Sequence, residues 1–340
     1  MTGRYDGAQE LHSSAVVFNA LDCTPLAYAD DVYHGKLRDS GVTAINHAVS
    51  YSQDRDGALA ALAGWSAKLR TDPGPLVQAA GLADVAAAKR DGKIAWFVGF
   101  EDSKPIGEDV GNLELFHRLG LRFLGLTYQN RNFAGDGSGE TANAGLSRFG
   151  RRLVREANEL GVALDLSHTG ERSTLETIEA SAKPVLVTHA GLRHFVDSPR
   201  NKSDAEAKLL AERGGAFGLA AKSGFLSPTG LTDGSDLDTF VDNIDYLVEL
   251  IGIDHVIVGT DNGDERKYTR EGMARVRRLY PEIPIIGDDL NLEIVHPRGL
   301  GDPKDLPNIT GALLRRGYTP EDVRKILGEN LLRVLAEIWS

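Results

Sequence analysis

With 340 residues, 41% of them hydrophobic, the chain can bury a large core, and its length suits one large α/β barrel or two ordinary domains. A formal net charge of -11 works against nucleic acid or an anionic membrane as partner, because the long-range field repels phosphate. The one cysteine, Cys23, excludes an internal disulfide, the opening MTGRYDGAQELHSS has neither a basic nor an apolar leader segment, and no apolar run approaches membrane-spanning length, so a cytoplasmic location is expected.

Short β-rich runs alternate with helical patterns along the whole chain, the pattern of parallel βα units. In order, the strands are expected at VVFNALD (16–22), VTAINHAVS (42–50), IAWFVGFED (94–102), RFLGLTY (122–128), VALDLSH (162–168), PVLVTH (184–189), GAFGLAA (215–221) and HVIVGTD (255–261). Apolar spacing places helices between them, as in LSRFGRRLVREANELG and DTFVDNIDYLVELIG. A last helix is expected from TPEDVRKILGENLLRVLAEIW, with Thr319 as N-cap and Pro320 in its first turn. Eight strands are what a closed (β/α)8 TIM barrel requires, and no linker or repeat divides residues 1–340, so one barrel domain with a C-terminal helix is expected.

Asp22, His47, Glu101, Tyr128, His168, His189 and Asp261 each fall at or near the C-terminal end of a different expected strand, the end where barrel enzymes carry their chemistry. The loops that follow three of these ends are long: NRNFAGDGSGETANAG, AGLRHFVDSPRNKSD and NGDERKYTREG. Turn-rich loops on one face suit a substrate lid. Imidazole and carboxylate are ligands that zinc accepts, and His168, His189 and Glu101 would leave a coordination position open for water. A histidine at a strand end is otherwise a hydrogen-bonded structural residue; three on separate strands of one barrel favour metal. The glycines of GDGSGE do not join a strand to a helix N-terminus as a phosphate cradle does, and serve turns. Cys23 should point away from Asp22 on an alternating strand and pack in the core. The basic run ARVRRLYPE reads as a solvated helix face.

GFED with Glu101, GLSRFGRRLVREANELGVALDLSH, PVLVTHAGLRH, SPRNKSD, VIVGTDNGD and YTPEDVRKILGENLLRVLAEI, in this order, resemble the membrane dipeptidase (renal dipeptidase) family of zinc peptidases. The resemblance implies an amidohydrolase-like (β/α)8 barrel that holds two zinc ions, cleaves dipeptides and forms a homodimer. By it Glu101 bridges both metals, His168 and His189 bind the second, and Asp22 binds the first. It also makes Arg200 the arginine that holds substrate and Asp261 the acid that shuttles the proton.

Two positions depart from the family pattern. FNALD places Ala20 where the family's first strand carries a histidine, and LTY places Tyr128 where LTH is usual. The first departure implies one tightly held zinc in place of two, unless His47 reaches across to the vacancy; the second leaves a phenol to bind substrate or an oxyanion. The expected function is a zinc-dependent hydrolase of a dipeptide or amino-acid-derived amide with an altered metal centre. The alternatives are a repurposed enzyme of specialised metabolism (deacylation, elimination, isomerisation or rearrangement) and a non-catalytic binding protein.

Overall fold

The computed structural model describes residues 6–340. Nine strands run parallel: β1 (Phe18–Asp22), β2 (Ala44–Ser50), β3 (Leu76–Gln78), β4 (Ile94–Phe100), β5 (Leu121–Gly125), β6 (Ala163–Asp165), β7 (Leu186–Ala190), β8 (Ala216–Leu219) and β9 (Val256–Val258). All but β3 lie side by side in chain order as the eight expected staves of a (β/α)8 barrel. The seam between β9 and β1 is held by the Cys23 amide donating to the Asn262 carbonyl (3.2 Å) and the Thr260 amide donating to Asn19 Oδ1 (3.0 Å). The sequence does not announce β3, which has only three residues, two of them exposed, and pairs with β4.

Small and aromatic residues alternate to fill the barrel interior: Phe18, Ala20, Ala44, Ala95, Phe97, Phe123, Ala163, Leu186, Ala216 and Ile257. Phe97 stacks on Phe18 at 5.6 Å and meets Phe123 edge-on at 6.0 Å. The floor is the last helix, whose Leu331, Val334, Leu335 and Ile338 face this interior while Trp339 lies 5.4 Å from the Phe97 ring. The opposite faces of the strands, including Ile45, Val49, Trp96 and Val98, pack on the surrounding helices.

Local signals explain the helices. Ser147 caps Arg148–Leu160 by accepting from the Gly150 amide (2.9 Å), Leu153, Val154 and Ala157 form its buried stripe, and Gly161 ends it in the left-handed conformation. Thr319 caps as expected, in a reciprocal pair with Asp322. The helix that follows is not continuous: Pro320–Arg324 passes through a π-helical turn, Lys325–Glu329, into Asn330–Ile338. Gly328 in that turn lies where a Cβ would come 2.4 Å from the Val16 carbonyl, so the wider turn and the missing side chain together let the helix touch the entry to β1. Among the described residues, no helix is long and apolar enough to cross a membrane.

Strand ends differ from the sequence expectation for a physical reason. β6 stops at Asp165, three residues short of His168, because the Asp165 carboxylate accepts from the Ser167 amide (3.1 Å) and turns the chain. In β1, Asn19 pairs with Ile45 but Asp22 pairs with His47, so β1 carries one extra residue between them, a β-bulge.

Buried histidines outside the Glu101, His168 and His189 group make stability depend on pH. His296 is held by the Ala221 carbonyl (2.6 Å); burial, with Lys222 nearby, keeps its pKa well below the usual histidine value. The folded state therefore leaves it neutral while the unfolded chain takes up a proton near pH ~6.5, so its contribution is full above that pH and is lost as pH falls below it. Asp102, pushed up to about 6 by burial, acts in the opposite sense, gaining stability toward acid. The clean readout is a difference: between pH 7.5 and pH 5.5, urea unfolding of His296→Gln should lose less stability than the wild type, and equal losses would contradict this assignment.

Candidate active site

Glu101, His168 and His189 converge at the C-terminal end of the barrel, all of them buried. Glu101 follows β4, His168 lies in the turn after β6, and His189 is within β7. His168 Nε2 is 2.9 Å from His189 Nε2 and 3.0 Å from Glu101 Oε2, and His189 Nε2 is 3.6 Å from the same oxygen. Each imidazole is fixed from behind. Thr188 Oγ1 donates to Asp165 Oδ2 (2.7 Å) and so accepts from His189 Nδ1 (2.7 Å), which leaves the Nε2 lone pair free. The Gln129 side-chain nitrogen faces His168 Nδ1 (2.9 Å) and its oxygen accepts from the Ser138 hydroxyl, which holds the ring; with that amide turned over, its oxygen would accept from Nδ1–H and leave Nε2 free for an ion. Burial, together with the Arg200 charge, holds His168 well below the usual histidine pKa, in the neutral form a metal needs. Two imidazole nitrogens and a carboxylate oxygen aimed at one point are a donor set that fits a divalent ion such as zinc.

Asp22 is not brought to this group. Its Oδ1 is 3.1 Å from His47 Nδ1 and accepts from the Thr24 amide (3.0 Å), while Oδ2 has no hydrogen-bond partner among the described residues. The His47 ring lies 4.4 Å from Trp65 and 5.4 Å from Trp96, in the layer between barrel and helices, so it does not reach across to the cluster. The bulge in β1 explains the placement of Asp22, because one extra residue exchanges inward and outward faces, while His47 shares the helix-facing side of β2 with Ile45 and Val49. Ala20 is sealed within the interior layer; a Cβ on Gly259 would lie 3.3 Å from its own. Cys23 is buried against Leu21 and Ala48, as core packing requires, and at the same time lines the mouth of the barrel.

The position of Ala20 makes a distinct prediction. Ala20→His should overpack the interior, costing about 1–3 kcal/mol in chemical unfolding, without adding a bound metal. A gain in metal content would refute this placement.

A cavity of about 300 Å³ opens beside the three donors, and Tyr128, Arg200 and Asp261 all line it. Tyr128 stacks on the His168 ring at 4.3 Å, and burial, with Glu101 close by, keeps its phenol protonated. Arg200 is buried; its guanidinium donates to the Ser167 and His189 carbonyls and lies 3.3 Å from His168 Nε2. Asp261 adopts a left-handed backbone at φ 52°, unusual for a non-glycine residue. Burial opposes its ionisation, but Lys222, His189, Lys267 and Arg200 hold its carboxyl below the ordinary range.

Sequence reasoning missed several cavity residues. Lys222 lies 3.4 Å from Asp261 Oδ2, donates to the Asp261 carbonyl and reaches the Tyr268 hydroxyl (3.0 Å). Lys267 contacts Cys23 Sγ and lies 3.3 Å from the Cys23 carbonyl. Both lysines keep their charge: burial opposes it, but Asp261 beside Lys222, and Cys23, Tyr268, Tyr51 and Asp261 around Lys267, raise their pKa. Burial pushes the Cys23 thiol up to about 12. Met273 and Val276, on the helix Arg270–Leu279, and Ile285 supply an apolar wall, so the segment after β9 covers the cavity while Arg277 on the same helix turns out to Asp288. Of these, Lys267 and Tyr268 lie inside the long loop NGDERKYTREG that the sequence singles out.

A parallel eight-stranded barrel with a carboxylate and two histidines at its C-terminal mouth is the architecture of the amidohydrolase-type metal-dependent hydrolases. The family model "Membrane dipeptidase (Peptidase family M19)" matches residues 35–283 and 285–339, and the chain belongs to that family. An amidohydrolase from Pseudomonas aeruginosa is 30% identical and superimposes with a TM-score of 0.85, over 98% of this chain and 99% of that one. Dipeptidase tcpJ of Claviceps purpurea (strain 20.1) is 29% identical over 257 residues, 75% of this chain and 53% of that protein. Dipeptidase verJ of Clonostachys rogersoniana is 26% identical over 251 residues, 73% of this chain and 56% of that protein. The chain thus spans about half the length of these two curated relatives.

Proposed function

We propose that the chain hydrolyses the amide bond of a small amino-acid-derived substrate, using a single divalent ion, zinc by donor type, on Glu101, His168 and His189. The observation that carries this reading is the convergence of Glu101 Oε2 and the two Nε2 atoms within 3.6 Å of one another, each imidazole fixed from behind. An ion there supplies Lewis-acid polarisation of the amide carbonyl and acidification of water. Among the lining residues, Asp261 is the carboxylate outside the donor set, and it takes the water proton and returns it to the leaving nitrogen. Arg200 faces the substrate carboxylate, and the protonated Tyr128 phenol donates to oxygen charge as it develops.

The absence of Asp22 from the cluster, and the lysine-bound thiol of Cys23 at the cavity wall, support one ion in place of two. The test is amine release from a panel of amides and dipeptides of alanine, in both configurations, with zinc added and with zinc removed by chelator. Zinc-dependent release that Asp261→Asn lowers by about 10²-fold or more is expected. Release that survives the chelator would overturn the reading.

A further inference from the structure

The cavity wall holds three cations, Arg200, Lys222 and Lys267, against two carboxylates, Glu101 and Asp261. This inference rests on the reading above, in which Glu101 is committed to a divalent ion. Asp261 is then the one lining carboxylate left for a substrate ammonium, and it is already taken: Lys222 Nζ lies 3.4 Å from its Oδ2 and also donates to its backbone carbonyl. Lys267 stands on the other side of Asp261, against Cys23, whose thiol in turn lies 3.3 Å from Asp261 Oδ1. A free α-ammonium at this end of the cavity would therefore sit beside two lysine ammoniums, Lys222 buried and Lys267 half-buried, with no unpaired acid to receive it. A carboxylate is well served by Arg200, and an uncharged acyl chain by Phe225, Met273, Val276 and Ile285 on the apolar wall.

We propose that the substrate is an N-acylated amino acid, carboxylate-bearing and without a free amine, and that Lys267 and Lys222 exclude free dipeptides. The reaction is balanced by water alone. The acyl C–N bond breaks and a C–O bond forms from water oxygen. The water proton passes through Asp261 to the leaving nitrogen, giving a carboxylic acid and a free amino acid.

A matched pair tests this directly, since N-propionyl-alanine carries hydrogen where alanyl-alanine carries the α-ammonium. On the zinc-loaded chain, with L- and D-alanine versions of each, kcat/KM should favour the propionyl compound by roughly tenfold or more, the scale of like-charge exclusion in a desolvated site. Lys267→Met should narrow that ratio and Lys267→Arg should restore it, with Lys222→Gln as the second variant where Lys267→Met does not fold. Equal or better use of alanyl-alanine, or an unchanged ratio in the variants, overturns the proposal. Should neither compound turn over, calorimetric binding of both decides: preference for the propionyl compound sustains this selectivity while the hydrolase reading fails, and equal binding removes the selectivity as well.

Discussion

His168→Ala is expected to purify without bound divalent metal, whereas the wild type carries about one equivalent per chain after zinc loading and desalting. In the structure His168 Nε2 is the hub, within 3.0 Å of both other donors, so its removal leaves Glu101 and His189 alone on a site open to water. Two remaining ligands cannot fix a borderline cation in competition with solvent. Amide hydrolysis should fall by roughly 10³-fold or more, the several kcal/mol that polarisation by the ion contributes to the barrier. Plasma mass spectrometry on both proteins checks the first part and steady-state kinetics the second. Two equivalents in the wild type would mean that Cys23 or another lining group holds a second ion, and the single-ion reading would fail.

Phe97→Ala should lower unfolding stability by about 3–5 kcal/mol in guanidinium titrations, the range for emptying a buried aromatic site. Phe97 is fully buried at the level where the barrel interior meets its floor, and its ring contacts Phe18, Phe123 and Trp339 at centroid distances of 5.6, 6.0 and 5.4 Å. The neighbours belong to β strands and a helix fixed by other contacts, so collapse into the vacated space is restricted and the cost should lie toward the upper part of that range. Metal content per folded chain should be unchanged, because the donors sit at the other end of the barrel. A loss under 1.5 kcal/mol would show that the interior repacks more freely than this arrangement implies.

The barrel was legible because its signal is repeated. Eight apolar runs, seven of them with a polar residue at or near the end, alternate with amphipathic segments, and an error of two residues in one run leaves the others intact. Glu101, His168 and His189 were legible for the same reason, since each closes a run and carries a side chain suited to a cation. β1 shows where this reasoning stops. Nothing in VVFNALDCTPL marks the extra residue between Asn19 and Asp22, yet it turns Asp22 out to His47 and Cys23 in toward the cavity. Strict alternation, applied to that strand, necessarily gives the opposite faces. The roles of Lys222 and Lys267 escaped notice because loop lysines are ordinarily solvated, and their place in the cavity wall comes from the segment after β9 folding back over the mouth, a long-range event without local periodicity. The short β3 lacks any pattern of its own and exists because β4 offers it a partner.

The closed floor has a kinetic consequence. Val16 at the entry to β1 is met by Gly328, and Phe97 and Phe123 by Trp339, so the interior is sealed by residues far away in sequence. Until they dock, the alanine- and phenylalanine-lined staves stand open to solvent at one end. Contacts so distant in sequence form slowly, and a barrel awaiting its final helix is a sticky intermediate. Refolding from denaturant should therefore show a late phase reported by Trp339 fluorescence, with recovery that declines as protein concentration rises.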